Sequence, residues 1–347
     1  MRIPICLLSA IFAMQCYAQQ ESIPYVFYSG DTIIVHAASG ETRYLKSKGE
    51  KVTVPVKFAD HADWNFTVDL KKNLYNESCE YGSVKTILAI SDIEGEFEAF
   101  RNMMLANKVI DANYNWIFGK NQLVICGDLF DRGAHVTEYL WLLYKLEQSA
   151  TAAGGYVHVI LGNHDIMNLG GDFRYVNPKY INEAKQINRE YKDLFAADTE
   201  LGRWLRSKNV IEKIGRVLYL HAGVSQPVNN LQWDLNAINT YLRPWYDKDV
   251  EKMPDSVYFF FGDYSPFWYR GYFMAPLATE SQVDSTLSLF GVKKIVVGHT
   301  IVEHVDGYFK NTIYGIDVNQ HEGHHEALLI QDGKYFRIDD KGNKTPI

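Results

Sequence analysis

Hydrophobic and polar positions follow two rhythms along the chain. From Tyr25 to about Asn76 they alternate residue by residue between turn signals, as in "YVFYSGDTIIVHAASGETRYL" and "KVTVPVKFADHADWNFTVDL", which is the period-2 pattern of short antiparallel strands. This predicts a small β-rich N-terminal module over residues 19–83, or strands added to the edge of a main domain. From Val84 onward the rhythm becomes strand, loop, helix, repeated. Apolar strands are predicted at Thr86–Ser91, Gln122–Cys126, Tyr156–Leu161, Val217–Leu220 and Lys294–Val297, with helical stretches such as Glu96–Ala106 and Val136–Ala150 between them. Residues 84–347 therefore read as an α/β layered domain. Within it, Ile181, Ala184, Ile187, Tyr191 and Leu194 recur at helical intervals, predicting one amphipathic helix over Pro178–Ala197 inside a helical insertion at 173–215. The aromatic-dense stretch after Leu231 reads as core and insertion packing. Closing strands meet at a hairpin turn, Gln331-Asp332-Gly333.

Composition adds bounds. The 347 residues are 47% hydrophobic and 14% aromatic, enough for one large domain with an appendage or for two ordinary ones. A formal net charge of −7 with scattered Lys and Arg provides no basic stripe, which argues against nucleic acid and anionic membrane as partners. The first eighteen residues, "MRIPICLLSAIFAMQCYA", place Arg2 before an apolar run and end in Cys16-Tyr17-Ala18. They read as a secretory signal cleaved before Gln19, so the mature chain is expected to be exported, periplasmic or secreted, without stable membrane insertion. Cys79 and Cys126 then remain, too few for a disulfide scaffold; Cys126 reads as a buried small hydrophobe, and a Cys79–Cys126 bridge stays open.

The chemistry gathers where apolar runs stop. The stretch "TILAISDIEGEFEAF" carries a strand into Asp92 and Glu94. An extended Asp92-Ile93-Glu94 would aim both carboxylates the same way with Cα atoms about 7 Å apart, each opposing the other's ionisation, so a positive neighbour is expected. The event recurs: "LVICGDLFDRG" gives Asp128, Asp131 and Arg132, "VHVILGNHD" gives Asn163, His164 and Asp165, "VLYLHAG" gives His221, and "KKIVVGHT" gives His299. Carboxyl ends of strands in a layered α/β sheet converge on one edge, where ligands bind. A lone Asp after a strand is usually a turn or cap residue; five such ends together point to a metal site. Oxygen and nitrogen donors without thiolates suit Mn, Fe, Zn or Mg.

The spacing Gly-Asp-x-x-Asp-Arg-Gly followed by Gly-Asn-His-Asp resembles the calcineurin-like metallophosphoesterases, and more narrowly their phosphoprotein phosphatase branch with its bacterial Shewanella-like members, over about Val84–Asp340. The resemblance implies an α/β fold, a four-layer β-sandwich flanked by helices. It also implies two divalent metal ions that hydrolyse phosphate monoesters of a phosphoprotein or small phosphoester. By the same resemblance Asp92 is a first-metal ligand, Asp128 bridges both ions, and Asn163, His221 and His299 bind the second. His164 then protonates the leaving group, oriented by Asp131, while Arg132 and, in "SPFWYRGY", Arg270 clamp the phosphate. One departure is visible: Glu94 stands where the family has histidine. As a ligand it would make the first site harder and favour Mn or Mg; otherwise it would cap the helix beginning near Gly95. His304 is left outside the site, and His321, His324 and His325 read as a surface tract. Two other readings stay open, a nucleotide or dinucleoside-polyphosphate hydrolase and a metal-bearing binding module that has lost catalysis.

Overall fold

The computed structural model describes residues 24–37 and 40–347; the segment read as a signal lies outside them. Its framework is two six-stranded sheets. One runs Lys344–Pro346, Lys334–Asp339, Glu326–Gln331, Thr86–Ile90, Gln122–Cys126, Tyr156–Ile160; the other runs Asp306–Tyr308, Ile313–Gly315, Lys294–Val297, Val217–Leu220, Ile211–Ile214, Glu80–Tyr81. Thr86–Ile90, Gln122–Cys126 and Tyr156–Ile160 are mutually parallel, with Leu88 opposite Leu123 and Val124 opposite His158. In the second sheet Val217–Leu220, Lys294–Val297 and Ile313–Gly315 are likewise parallel.

Alternation along each strand divides the apolar residues between two layers of core. Ile87, Ala89, Val124, Cys126 and Ile160 pack with Tyr219, Val296 and Tyr314 of the other sheet. Leu88, Ile90, Leu123, Ile125 and Val159 instead join the larger cluster beneath the helices, with Phe97, Phe100 and Met103. Apolar runs without polar alternation are what strands covered on both faces require, and the result is a sandwich with helices outside. Truncating one buried side chain, Leu88→Ala for example, would cost about 2–5 kcal/mol. One ionisable pair also bridges the sheets, His158 Nδ1 lying 2.7 Å from Glu212 Oε2, both fully buried.

The predicted strands and the helices near 97 and 136 lie within a residue or two of their expected bounds. The hairpin is present as well: Asp332 (φ 52°) and Gly333 (φ 75°) make the two-residue turn between Glu326–Gln331 and Lys334–Asp339. Two expectations change. The helix expected over Pro178–Ala197 stops at Gln186, because Asn188 is left-handed (φ 57°) and Arg189 N–H bonds back to Ala184 O at 2.9 Å, and Tyr191–Phe195 restarts as a 3₁₀ turn. The stretch 173–215 is not helical to its end, since Ile211–Ile214 is a sheet strand. The bridge left open is not formed: Cys79 and Cys126 are both free and buried, Cys126 as a buried hydrophobe.

Near the N-terminus, Tyr25–Ser29, Thr32–Ala37 and Gly40–Leu45 form an antiparallel sheet of their own, and Thr53–Val56 pairs with Phe66–Asp69; Glu80–Tyr81 extends a main sheet. These strands are fastened to the body through Tyr28 N–H to Asp198 O (2.7 Å) and Trp141 Nε1–H to Pro24 O (3.0 Å). Among the described residues no helix is long and apolar enough to cross a membrane.

Candidate active site

Six parallel strand ends, three from each sheet, meet at one edge of the sandwich. Asp92, Asp128 and Asn163 follow the ends of Thr86–Ile90, Gln122–Cys126 and Tyr156–Ile160; His221, His299 and Asp317 follow Val217–Leu220, Lys294–Val297 and Ile313–Gly315. All six side chains are buried. The segment Asp92-Ile93-Glu94 is not extended as expected. The strand ends at Ile90, and Asp92 (φ 54°) and Glu94 (φ 45°) are both left-handed, while Ile93 turns into the core. Two hydrogen bonds fix this turn, Asp92 N–H to Gly127 O (3.1 Å) and Glu94 N–H to Asp128 O (3.0 Å). Glycine is required where the loops touch: a Cβ on Gly298 would strike Ser91 and Asp92, and one on Gly162 would strike Asp128 and His221.

The donors converge as the sequence spacing anticipates. His221 Nδ1 donates to Cys126 O at 2.7 Å, so its Nε2 lone pair faces Asn163 Oδ1 (2.9 Å) and Asp128 Oδ2 (3.2 Å). His299 Nε2 donates to Trp268 O (3.2 Å), which turns its Nδ1 lone pair toward His221 Nε2, also 3.2 Å away. Anchoring the far nitrogen through a carbonyl is how a histidine ligand is oriented. Four acceptor atoms thus face one another, an arrangement that needs a cation among them. Asp128 forms one group with His221 and His299 and a second with Glu94 and His164, each with ligand atoms within 4.8 Å of one another. Four buried carboxylates, Asp92, Glu94, Asp128 and Asp317, line a cavity of about 430 Å³ together with His164, Arg132 and Arg270. Burying such charge without compensation is costly, so these residues are positioned to hold divalent metal ions.

With no cation present, protons would have to balance the charge. Burial drives Asp92 up to about 6, and burial with Asp92 nearby pushes Asp317 well above the carboxylate range. Burial opposes the His221 cation, yet Asp128 and Asp92 outweigh it and raise the ring to about 10; in return, the His221 and His164 charges hold Asp128 below its usual range against burial. His299 falls well below its usual value through burial and the neighbouring His221 and Arg270.

His164 borders the Glu94 and Asp128 donors but is anchored differently from His221 and His299, by a carboxylate. Its Nδ1 lies 2.5 Å from Asp131 Oδ2, and its Nε2 points between Glu94 Oε1 (3.6 Å) and Asp128 Oδ2 (3.9 Å). Burial would lower this ring, but Asp128 and Asp131 raise it. Asp131 is itself held: Asn168 Nδ2 donates to its other oxygen (2.8 Å), and Tyr191 O–H donates to Asn168 Oδ1 (2.8 Å). Arg132 pairs with Glu94 Oε1 at the mouth, and Arg270 donates to His299 O at 2.8 Å. Glu94 does not cap the following helix, whose N-terminus has no side-chain cap.

Two residues were missed in the sequence. Asp317 closes "IYGID" with the same strand-then-carboxylate signal used elsewhere. His321, read as part of a surface tract, lines the cavity with Nε2 against Glu94 Oε2 and Nδ1 3.1 Å from Glu96 Oε1. His324 is exposed and His325 pairs with Asp340, as a surface tract would. His304 pairs with Glu326 and does not line the cavity.

The family described as calcineurin-like phosphoesterase matches residues 85–303. Among solved structures, the cold-active protein-tyrosine phosphatase of a psychrophile Shewanella sp. is similar with a TM-score of 0.83 and 36% identity, covering 93% of this chain and 98% of that one. Shewanella-like protein phosphatase 1 of Plasmodium berghei is 28% identical over 295 residues, 80% of this chain and 78% of the relative. Shewanella-like protein phosphatase 2 of Arabidopsis thaliana is 26% identical over 288 residues, 70% and 73% respectively.

Proposed function

This chain belongs to the calcineurin-like phosphoesterase family, and from that premise we propose that it is a phosphoprotein phosphatase working through two divalent metal ions, Mn first among Mn, Fe, Zn and Mg. The observation that carries the reading is the pairing of a buried acceptor cluster shared between two sheets with a histidine at its border that a carboxylate holds from behind, His164 on Asp131. Asp92, Glu94 and Asp128 hold the first ion, and Asp128, Asn163, His221 and His299 the second. Bound there, the ions supply charge neutralisation and a hydroxide at neutral pH. His164 gives its Nε2 proton to the leaving oxygen, with Asp131 fixing the tautomer through Nδ1. Arg132 and Arg270, which both line the cavity, bind the phosphate oxygens, a role suited to the guanidinium fork.

The substrate side of the cavity is apolar: Phe273, Met274 and Ile301 line it, and the last two are exposed. That rim favours a phosphate carried on an aromatic side chain, and the resemblance to a protein-tyrosine phosphatase supports the same preference. Measuring kcat/KM on phosphotyrosine and phosphoserine forms of one peptide, and on diadenosine tetraphosphate, tests it. Phosphotyrosine should be preferred, and faster turnover of the dinucleotide would replace this reading by the anhydride hydrolase. Residues 1–18 support export to the periplasm or outside the cell; N-terminal sequencing of exported protein should begin at Gln19, and Met1 retained in a cytoplasmic fraction would refute it.

A further inference from the structure

We infer that His321 is a ligand of the first metal ion, supplying from the far end of the chain the imidazole that position 94 lacks. The inference rests on the two-ion centre proposed above and concerns how this chain completes it. Three observations converge on it. First, His321 sits in the 3₁₀ turn Gln320–Glu322, and its side chain is 22% exposed and lines the cavity, whereas His324 in the same loop is exposed to solvent.

Second, one of its nitrogens is anchored from behind, as in His221 and His299, here by a carboxylate in place of a backbone carbonyl. Glu96 Oε1 lies 3.1 Å from Nδ1; with a proton held on that atom, the Nε2 lone pair is free to face inward. A carboxylate behind an imidazole both orients the ring and strengthens it as a donor. Third, the inward nitrogen meets Glu94 Oε2. A lone pair against a carboxylate oxygen is repulsive unless a proton or a metal ion bridges them, and the other Glu94 oxygen already faces Arg132. Glu94 therefore has one oxygen to offer, and His321 Nε2 stands beside it. The first site becomes Asp92, Asp128, Glu94 and His321: three carboxylates and one nitrogen.

The test compares wild type, His321→Ala, His321→Gln, Glu94→His/His321→Ala and His324→Ala, each stripped with chelator and titrated calorimetrically with Mn²⁺, with metal content measured by elemental analysis. Wild type and His324→Ala should bind two ions. Both His321 variants should keep one ion at the wild-type Kd and bind the other at least about tenfold more weakly. The Gln variant keeps a hydrogen-bonding amide near Glu96, so its failure would mark a lost ligand rather than a lost prop. Glu94→His/His321→Ala should regain the second ion, and the visible spectrum of the Co²⁺ form should change in His321→Gln. Two ions bound by His321→Ala with the wild-type Kd would overturn the inference while leaving the metal centre in place. A loss that Glu94→His does not relieve, with an unchanged Co²⁺ spectrum, would also overturn it. A wild-type chain that binds no Mn²⁺ would overturn both the inference and the reading beneath it.

Discussion

Asp92, Glu94, Asp128, Asp131, Arg132 and His299 all carry positive φ, between 45° and 79°. Non-glycine residues in that region are strained, by roughly 1–3 kcal/mol each, and persist where the surroundings overdetermine them. Here the strain turns side chains inward that an extended strand would have spread along its length. His164→Ala should lower kcat by about 10²–10⁴-fold with both ions retained; loss of metal on elemental analysis would instead make it a ligand. Because Asp128 and Asp131 raise the His164 ring against burial, Asp131→Asn should let its pKa fall. The protonated acid is then lost at lower pH, and the alkaline limb of the kcat profile should move to lower pH, whereas an unmoved limb would mean that Asp131 only holds the loop. Residue identities were the most legible level of the molecule, since Asp92, Asp128, Asn163, His221 and His299 each follow an apolar run. Asp317 carried that signal after a strand of only three residues. His321 carried no local signal, because its partner Glu94 lies 227 positions away.

The turn Tyr191–Phe195 reaches the site indirectly, through Tyr191, Asn168 and Asp131. It lies in the stretch expected to be one long helix, and the break at Asn188 is what frees Tyr191 to face Asn168. Periodicity could not reveal the break, because Ile187 and Tyr191 keep helical spacing across it. Asn168→Ala should lower kcat severalfold with little change in KM and shift the same alkaline limb in the direction of Asp131→Asn; an effect on KM alone would separate Asn168 from the proton-transfer residues. Ile211–Ile214 escaped notice for a different reason. Its sequence, Ile-Glu-Lys-Ile, places Glu212 inside the sandwich, where it pairs with His158, and a buried carboxylate does not read as core.

Sheet membership was the least legible property of the fold: strand periods say that a residue is covered, not by which neighbour. Nor did sequence indicate how the N-terminal strands are tied down. Lys208, fully buried, contacts Glu77 before the first main strand and Glu147 on the helix Val136–Ala152, with its ammonium 4.7 Å from the Trp204 ring. Lys208→Met takes the ammonium from Glu77, while Glu147 keeps Lys71 and the Trp204 indole N–H, and the buried charge left behind should cost about 3–5 kcal/mol, read as a lower urea midpoint at unchanged slope; a loss below about 1 kcal/mol would show that packing alone anchors this region. Where the strand ends of the two sheets meet, Asp128 and Asn163 of one face His221 and His299 of the other, and a cation held there is also a clasp across the seam of the sandwich. Free Mn²⁺ at a hundred times its Kd should then add about 2.7 kcal/mol to the folded state, and chelation should loosen the molecule from that edge inward. Amide exchange would quicken first at Asp92, Asp128, Asn163, His221, His299 and Asp317 while the outer helices stayed closed, so the catalytic ions would double as the fastening of the sandwich's open edge.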